Sequence, residues 1–222
     1  NATNLQNVMA HFKETTTMKR LIILLAIISF FSCNNKSDKT HSLKLGTDSQ
    51  AVKEEFSKYL ENFKKIDLPI VIKGCKINSS GLKKIDFNKF KKYTDEYSIA
   101  FAQIPTNGNF IATLTLAEAD CYLPVLTTYD FNGQVIDRVT IAIGGCGSDC
   151  GFNCEEFMTL KEDYSFFTSD TISTYECDSL GHEVPNSYEY YVIYKKGKLL
   201  IDGKIEKTAE IKELLQGRKN EP

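Results

Sequence analysis

Between residues 52 and 63 the apolar positions recur at helical spacing: Val52, Phe56, Leu60 and Phe63, with polar residues between them and Lys64 and Lys65 behind. A stripe of that width predicts an amphipathic helix packed on one side, and Asp48 or Ser49 can cap its start. Pro69 closes it, because the residue before a proline is driven out of the helical region. Ile70, Val71 and Ile72 then predict a short strand, and residues 86–93 a second, short helix.

From about Tyr97 the period changes from helical to two. Phe110, Ala112, Leu114 and Leu116 alternate with Ile111, Thr113 and Thr115, and Val135, Val139, Ile141 and Ile143 alternate with Arg138, Thr140 and Ala142. Turn signals divide the strands at Thr106-Asn107-Gly108-Asn109, Asn132-Gly133, Ser179-Leu180-Gly181 and Lys196-Gly197. Connections this short join antiparallel neighbours, since a parallel crossover needs a dozen or more residues. Residues 208–216 place Ile211, Leu214 and Leu215 on one helical face before Gly217, predicting a short closing helix. The expected fold is α+β and mainly β: an antiparallel meander sheet of about seven to eight strands, with an N-terminal amphipathic helix and a short C-terminal helix.

Ahead of all this, residues 21–31 (LIILLAIISFF) are apolar but for Ser29, preceded by Lys19 and Arg20 and followed by Ser32, Cys33 and a polar stretch. That order of basic, apolar and small residues is a secretory signal. The run is too short to span a bilayer, which takes roughly 20 apolar residues, and it leaves no amphipathic face for a core helix. Ser32-Cys33 resembles the end of a lipobox, where a bacterial lipoprotein is cleaved before the cysteine that carries its lipid. With Phe30 and Phe31 in place of a Leu-like and a small residue, and an Asn/Lys/Ser/Asp-rich stretch behind, it is similar to the looser boxes of the exported lipoproteins of the Bacteroidota. The resemblance covers residues 18–48. It implies a lipidated Cys33 (palmitate among the acyl chains) and an outer-membrane location, and Asn34 after the cysteine with the single acid Asp38 favours the periplasmic face over the cell surface.

The organisation read from this is upstream read-through over 1–17, a lipoprotein signal peptide over 18–33, a flexible tether over 34–48, one globular domain over 49–217 and a tail over 218–222. Removing residues 1–33 takes away Lys13, Lys19, Arg20 and Glu14, so 27 basic and 29 acidic residues become 24 and 28 and the formal charge −4. A mildly acidic domain carries no electrostatic footprint for nucleic acid.

Concentrated chemistry lies in residues 143–154, IGGCGSDCGFNC. With Cys33 assigned to lipid, seven cysteines leave six: Cys75, Cys121, Cys146, Cys150, Cys154 and Cys177. An even number in an exported chain reads as a disulfide framework. Two alternatives stay open: zinc held by Cys146, Cys150 and Cys154 with Cys177 or His182 as a fourth ligand, or a reactive thiol in the same loop. Gly145-x-Gly147-x-x-Cys150 lacks the third glycine of a dinucleotide fingerprint and has no helix pattern after it. Asp130 and Asn132 are better explained by a hairpin turn than by a calcium loop.

His182 is the only histidine of the folded region, so a triad hydrolase would have to use it, and it sits in a turn sequence, DSLGHEVPNS. Tyr188, Tyr190 and Tyr194 share one face of a strand, Tyr191 the other, with Tyr122, Tyr129, Tyr164 and Tyr175 on neighbouring strands. A tyrosine row on an open sheet is a candidate binding face for a protein or a small molecule. The expectation is a lipid-anchored envelope protein acting as a non-catalytic binding or structural module, with no cofactor and no metal. The alternative is an envelope enzyme, either a hydrolase using His182 or a thiol-based oxidoreductase using the Cys146/Cys150/Cys154 loop.

Overall fold

The structure, a computed structural model, describes residues 44–78, 80–147 and 149–216. The signal, Cys33, most of the tether and the tail lie outside the described residues. The compact unit that begins at Gly46 holds every strand found among the described residues.

Helix α1 (Lys44–Leu60) begins inside the stretch read as tether, five residues before the domain boundary expected at Ser49. Short strands β1 (Lys64–Lys65) and β2 (Ile70–Ile72) follow, then a single 3-10 turn (Gly74–Lys76), β3 (Lys83–Lys84) and α2 (Phe87–Phe90), which takes up part of the 86–93 helix and is capped by the Asp86 side chain accepting from Lys89 N. The long strands are β4 (Ser98–Ile104), β5 (Ile111–Ala117), β6 (Leu123–Tyr129), β7 (Val135–Thr140), β8 (Phe152–Leu160), β9 (Ser165–Thr174) and β10 (Glu189–Leu199), closed by β11 (Ile205–Lys207) and β12 (Ile211–Gln216).

The strands do not form one meander. They form two six-stranded sheets, ordered β1-β4-β5-β6-β7 and β11-β10-β9-β8-β2, with β3 also on β4 and β12 also on β10. Neighbours in sequence still pair antiparallel within each half, β4 to β7 and β8 to β11. The ribbon divides at the 141–151 loop because one sheet of that length would leave its apolar face in water, whereas two sheets face to face bury both. Ile99, Leu114, Leu116 and Leu126 of the first sheet share one buried core with Met158, Leu160, Phe166 and Leu199 of the second.

The first sheet is covered on its other face as well. Phe56, Tyr59 and Phe63 of α1 and its following turn pack with Phe90, Tyr93, Ala100 and Tyr129. This explains why Thr113 and Thr115, read as the polar half of an alternating strand, are buried, as is Thr127 of β6. In the helix layer tyrosines set the chemistry: the hydroxyls of Tyr59 and Tyr129 and Nη2 of Arg138 all donate to the carbonyl of Tyr93, at 3.3, 2.6 and 2.6 Å. Burial, with Tyr129 beside it, holds the Tyr59 phenol well above its usual range.

Two further expectations are overturned. Residues 208–216 are not a helix: Ile211–Gln216 is strand β12, antiparallel to β10 from Tyr190 to Tyr194. Strand β10 is eleven residues long, three-residue β11 covers only its end, and the remaining row of N–H and C=O groups takes up a strand. Ile211, Leu214 and Leu215 stay about half exposed rather than forming a buried stripe. Lys196-Gly197 is not a turn either; it lies within β10, and the chain reverses at residues 200–204, where Gly203 N donates to Leu200 O and Leu200 N to Lys204 O.

Candidate functional site

Strands β8, β9 and β10 alternate faces in register, so the cross-strand pairs Glu156–Asp170 and Asp170–Ile193 put two carboxylates side by side on the inner face of the second sheet. Thr168 and Lys195 form the next inward pair. Glu156, Asp170, Thr168 and Lys195 are all buried. The loop between β7 and β8 lies over them: Gly145 N donates to Asp170 Oδ2 at 2.7 Å, and Lys195 Nζ donates to Ala142 O at 2.5 Å while standing 3.4 Å from Glu210 Oε1. Neither carboxylate oxygen of Glu156 has a hydrogen-bond partner among the described residues.

Desolvation decides the protonation here. Burial, and after it the charge of Asp170, pushes the Glu156 carboxyl up to about 7. Asp170 is also raised, chiefly by burial, with the Gly145 N–H and the Lys195 ammonium working against the rise. Glu156, the group without donors, therefore keeps its carboxyl protonated below about pH 7.

Six cysteines pair at disulfide distance: Cys75 with Cys121, Cys146 with Cys154 and Cys150 with Cys177. The first joins the 3-10 turn after β2 to the β5–β6 connection and so ties one sheet to the other. The second ties the loop to β8 directly beside Glu156. The third joins the same loop to the β9–β10 connection. The zinc grouping suggested by spacing is taken apart by the fold, since Cys150 and Cys177 bond to each other and His182 is 72% exposed with Nδ1 3.4 Å from Asp178. The sulfurs that gather are those of Cys75, Cys121 and Cys146, all within 4.8 Å of one another, and those of Cys146 and Cys154 lie equally close to a carboxylate oxygen of Asp170. A cavity of about 110 Å³ is lined by Lys73, Cys75, Lys76, Cys154, Glu155 and Glu156, and so borders this cluster at Cys75 and Cys154.

On the opposite, outer face of the same sheet stand half-buried rings. Phe157 of β8 and Tyr194 of β10 both stand opposite Ser169 of β9, and Phe167, two residues along β9, packs between them, with centroids 6.5 Å from Phe157 and 5.8 Å from Tyr194. Tyr190 shares this face, and Tyr188 precedes the strand; Tyr191 turns inward, with Lys212 Nζ 3.7 Å from its ring centroid. Lys196 Nζ stands 5.7 Å from the centre of the Tyr194 ring, and Lys196 lines a shallow groove of about 540 Å³ with Lys198, Glu206, Lys207, Ser165 and Thr208. Phe157 and Phe167 are not among the residues that the sequence pattern singles out, although their place next to the inward Met158 and Phe166 is the signal that puts them outward.

Asp130 explains itself as a turn residue, its side chain accepting from Asn132 N and Gln134 N at 2.8 Å each. Among the described residues no helix is long and apolar enough to cross a membrane. Neither a protein-family description, nor a curated protein, nor a solved structure matches this chain.

Proposed function

We propose that this chain is a lipid-anchored binding module of the bacterial cell envelope, attached through Cys33 to the outer membrane on its periplasmic side, and that it takes its partner on the outer face of the second sheet. The observation that carries the reading is the ring cluster Phe157, Phe167 and Tyr194 beside a groove whose wall carries three lysines against one glutamate, Glu206. Aromatic rings supply contact area at low entropic cost, and Lys196, Lys198 and Lys207 add positive charge to one end. That combination suits a protein segment carrying an apolar side chain next to acidic ones. The anchor rests on the apolar run at 21–31 and on Ser32-Cys33.

Two experiments test it. A photo-crosslinking amino acid placed at Phe167 of the full chain in envelope vesicles is expected to give a discrete adduct that Lys196→Glu with Lys198→Glu removes. No adduct from Phe167, with one from exposed Leu180 on the crosslinked loop, would move the binding surface. Metabolic labelling with a fatty acid is expected to mark the wild-type chain and not Cys33→Ser; label persisting in the variant would remove the anchor.

A further inference from the structure

Two of the three disulfides crowd together, and one sulfur-bearing residue of each, Cys75 and Cys154, lines the small cavity. The Sγ of Cys146 lies within 4.8 Å of both sulfurs of the Cys75–Cys121 bond, while Cys146 is itself bonded to Cys154. We infer that Cys75–Cys121 and Cys146–Cys154 form one thiol–disulfide exchange centre, with Cys146 as the shared sulfur and a small dithiol as its external reductant.

The geometry supplies each part of the exchange. The reductant enters by the 110 Å³ cavity, where Cys75 and Cys154 are on the wall; Lys76 there is paired with Glu155 at 2.8 Å, leaving Lys73 as the cation that an approaching thiolate meets. Its thiolate attacks Cys154 Sγ, a mixed disulfide forms to Cys154, the Cys146–Cys154 bond breaks and Cys146 leaves as a thiolate. Cys146 then attacks the neighbouring bond, forming a disulfide to Cys75 or Cys121 and releasing the other sulfur as thiolate; this step moves no net electrons. The second thiol of the reductant resolves the mixed disulfide. Overall the dithiol is oxidised, one protein disulfide is reduced, and the two protons lost by the dithiol pass to the two protein thiolates. Asp170, with a carboxylate oxygen within 4.8 Å of both the Cys146 and Cys154 sulfurs, is placed to carry one of them. Cys150–Cys177 takes no part, because its sulfurs belong to neither group.

The full chain with Cys154→Ser leaves Cys146 without its partner. Alkylation in acid followed by non-reducing peptide mapping is expected to find Cys146 joined to Cys75 or Cys121 alongside the original Cys75–Cys121 bond. Cys177→Ser, which frees Cys150, is expected to give no new bond to any of the four. Quantitative alkylation of Cys146 with Cys75–Cys121 intact would overturn the inference. A second measurement needs no variant: wild-type chain treated with less than one equivalent of dithiothreitol and sampled over time should show label divided between the two pairs in a ratio that settles to a constant. Label confined to one of the two pairs throughout would equally overturn it.

Discussion

Glu156 and Asp170 face each other across β8 and β9 in a region built from apolar side chains and sulfur. A charged residue at an inward position in consecutive strands is the sequence signal for this cluster: Asp170 sits between Thr168 and Ile172, Glu156 between Cys154 and Met158, and Lys195 two residues past Ile193. Alternation judged by its apolar members alone passes over that signal. The consequence is a pH dependence of definite sign. The folded-state value of Glu156 is raised to about 7 from 4.5, so the unfolded chain loses this proton first as pH rises. The contribution of Glu156 to stability is full below about pH 4.5, falls between there and about 7, and is then flat, its total loss being about 3 kcal/mol. Glu156→Gln is expected to melt at a higher temperature than wild type at pH 8 and to lose that advantage at pH 4.5. Thermal unfolding of both proteins across that range checks it, and parallel curves would show that Glu156 is charged in the fold.

At the scale of elements, the sequence is readable wherever one face of the chain is polar and short range decides. Strands β5 and β7 and the turns at 106–109 and at 132–133 are all legible. What cannot be read is set by distant partners. Ile211, Leu214 and Leu215 satisfy a helical period, but strand β10 offers an open edge, and six residues are too few for helical propensity to resist it. Gly197 is the sharper case. It looks like a turn glycine, yet its place inside β10 is a matter of space: a Cβ there would run into the ring of Phe166 and the carbonyl of Glu206. Glycine is what lets β10 continue past Phe166 to meet β11. Gly197→Ala is therefore expected to destabilise by about 1–3 kcal/mol, the usual cost of overpacking. Urea unfolding measures it, and a change within a few tenths of wild type would mean that Phe166 can swing aside.

Across the whole molecule, two sheets share one core, and all three disulfides sit among the connections and strand ends that flank the 141–151 loop. Counting cysteines can tell that six should pair; it cannot tell which, because pairing depends on the fold of the ribbon at that loop, which separation along the chain does not reveal. The pairings rank the three bonds. They span 46, 27 and 8 residues for Cys75–Cys121, Cys150–Cys177 and Cys146–Cys154. If their role is to restrict the unfolded chain, replacing both cysteines of each pair by serine should cost about 4, 3.5 and 2.5 kcal/mol in that order. Changing both members leaves no orphan thiol to exchange with its neighbours. The competing account is local: Cys146–Cys154 holds the loop down over Asp170 and Lys195, so losing it would admit water to a buried charge cluster. Denaturant unfolding of the three double variants separates the two. A ranking by span makes the bonds restraints on the unfolded chain, whereas the largest loss from the shortest span would make the loop over Asp170 the element on which the folded state depends.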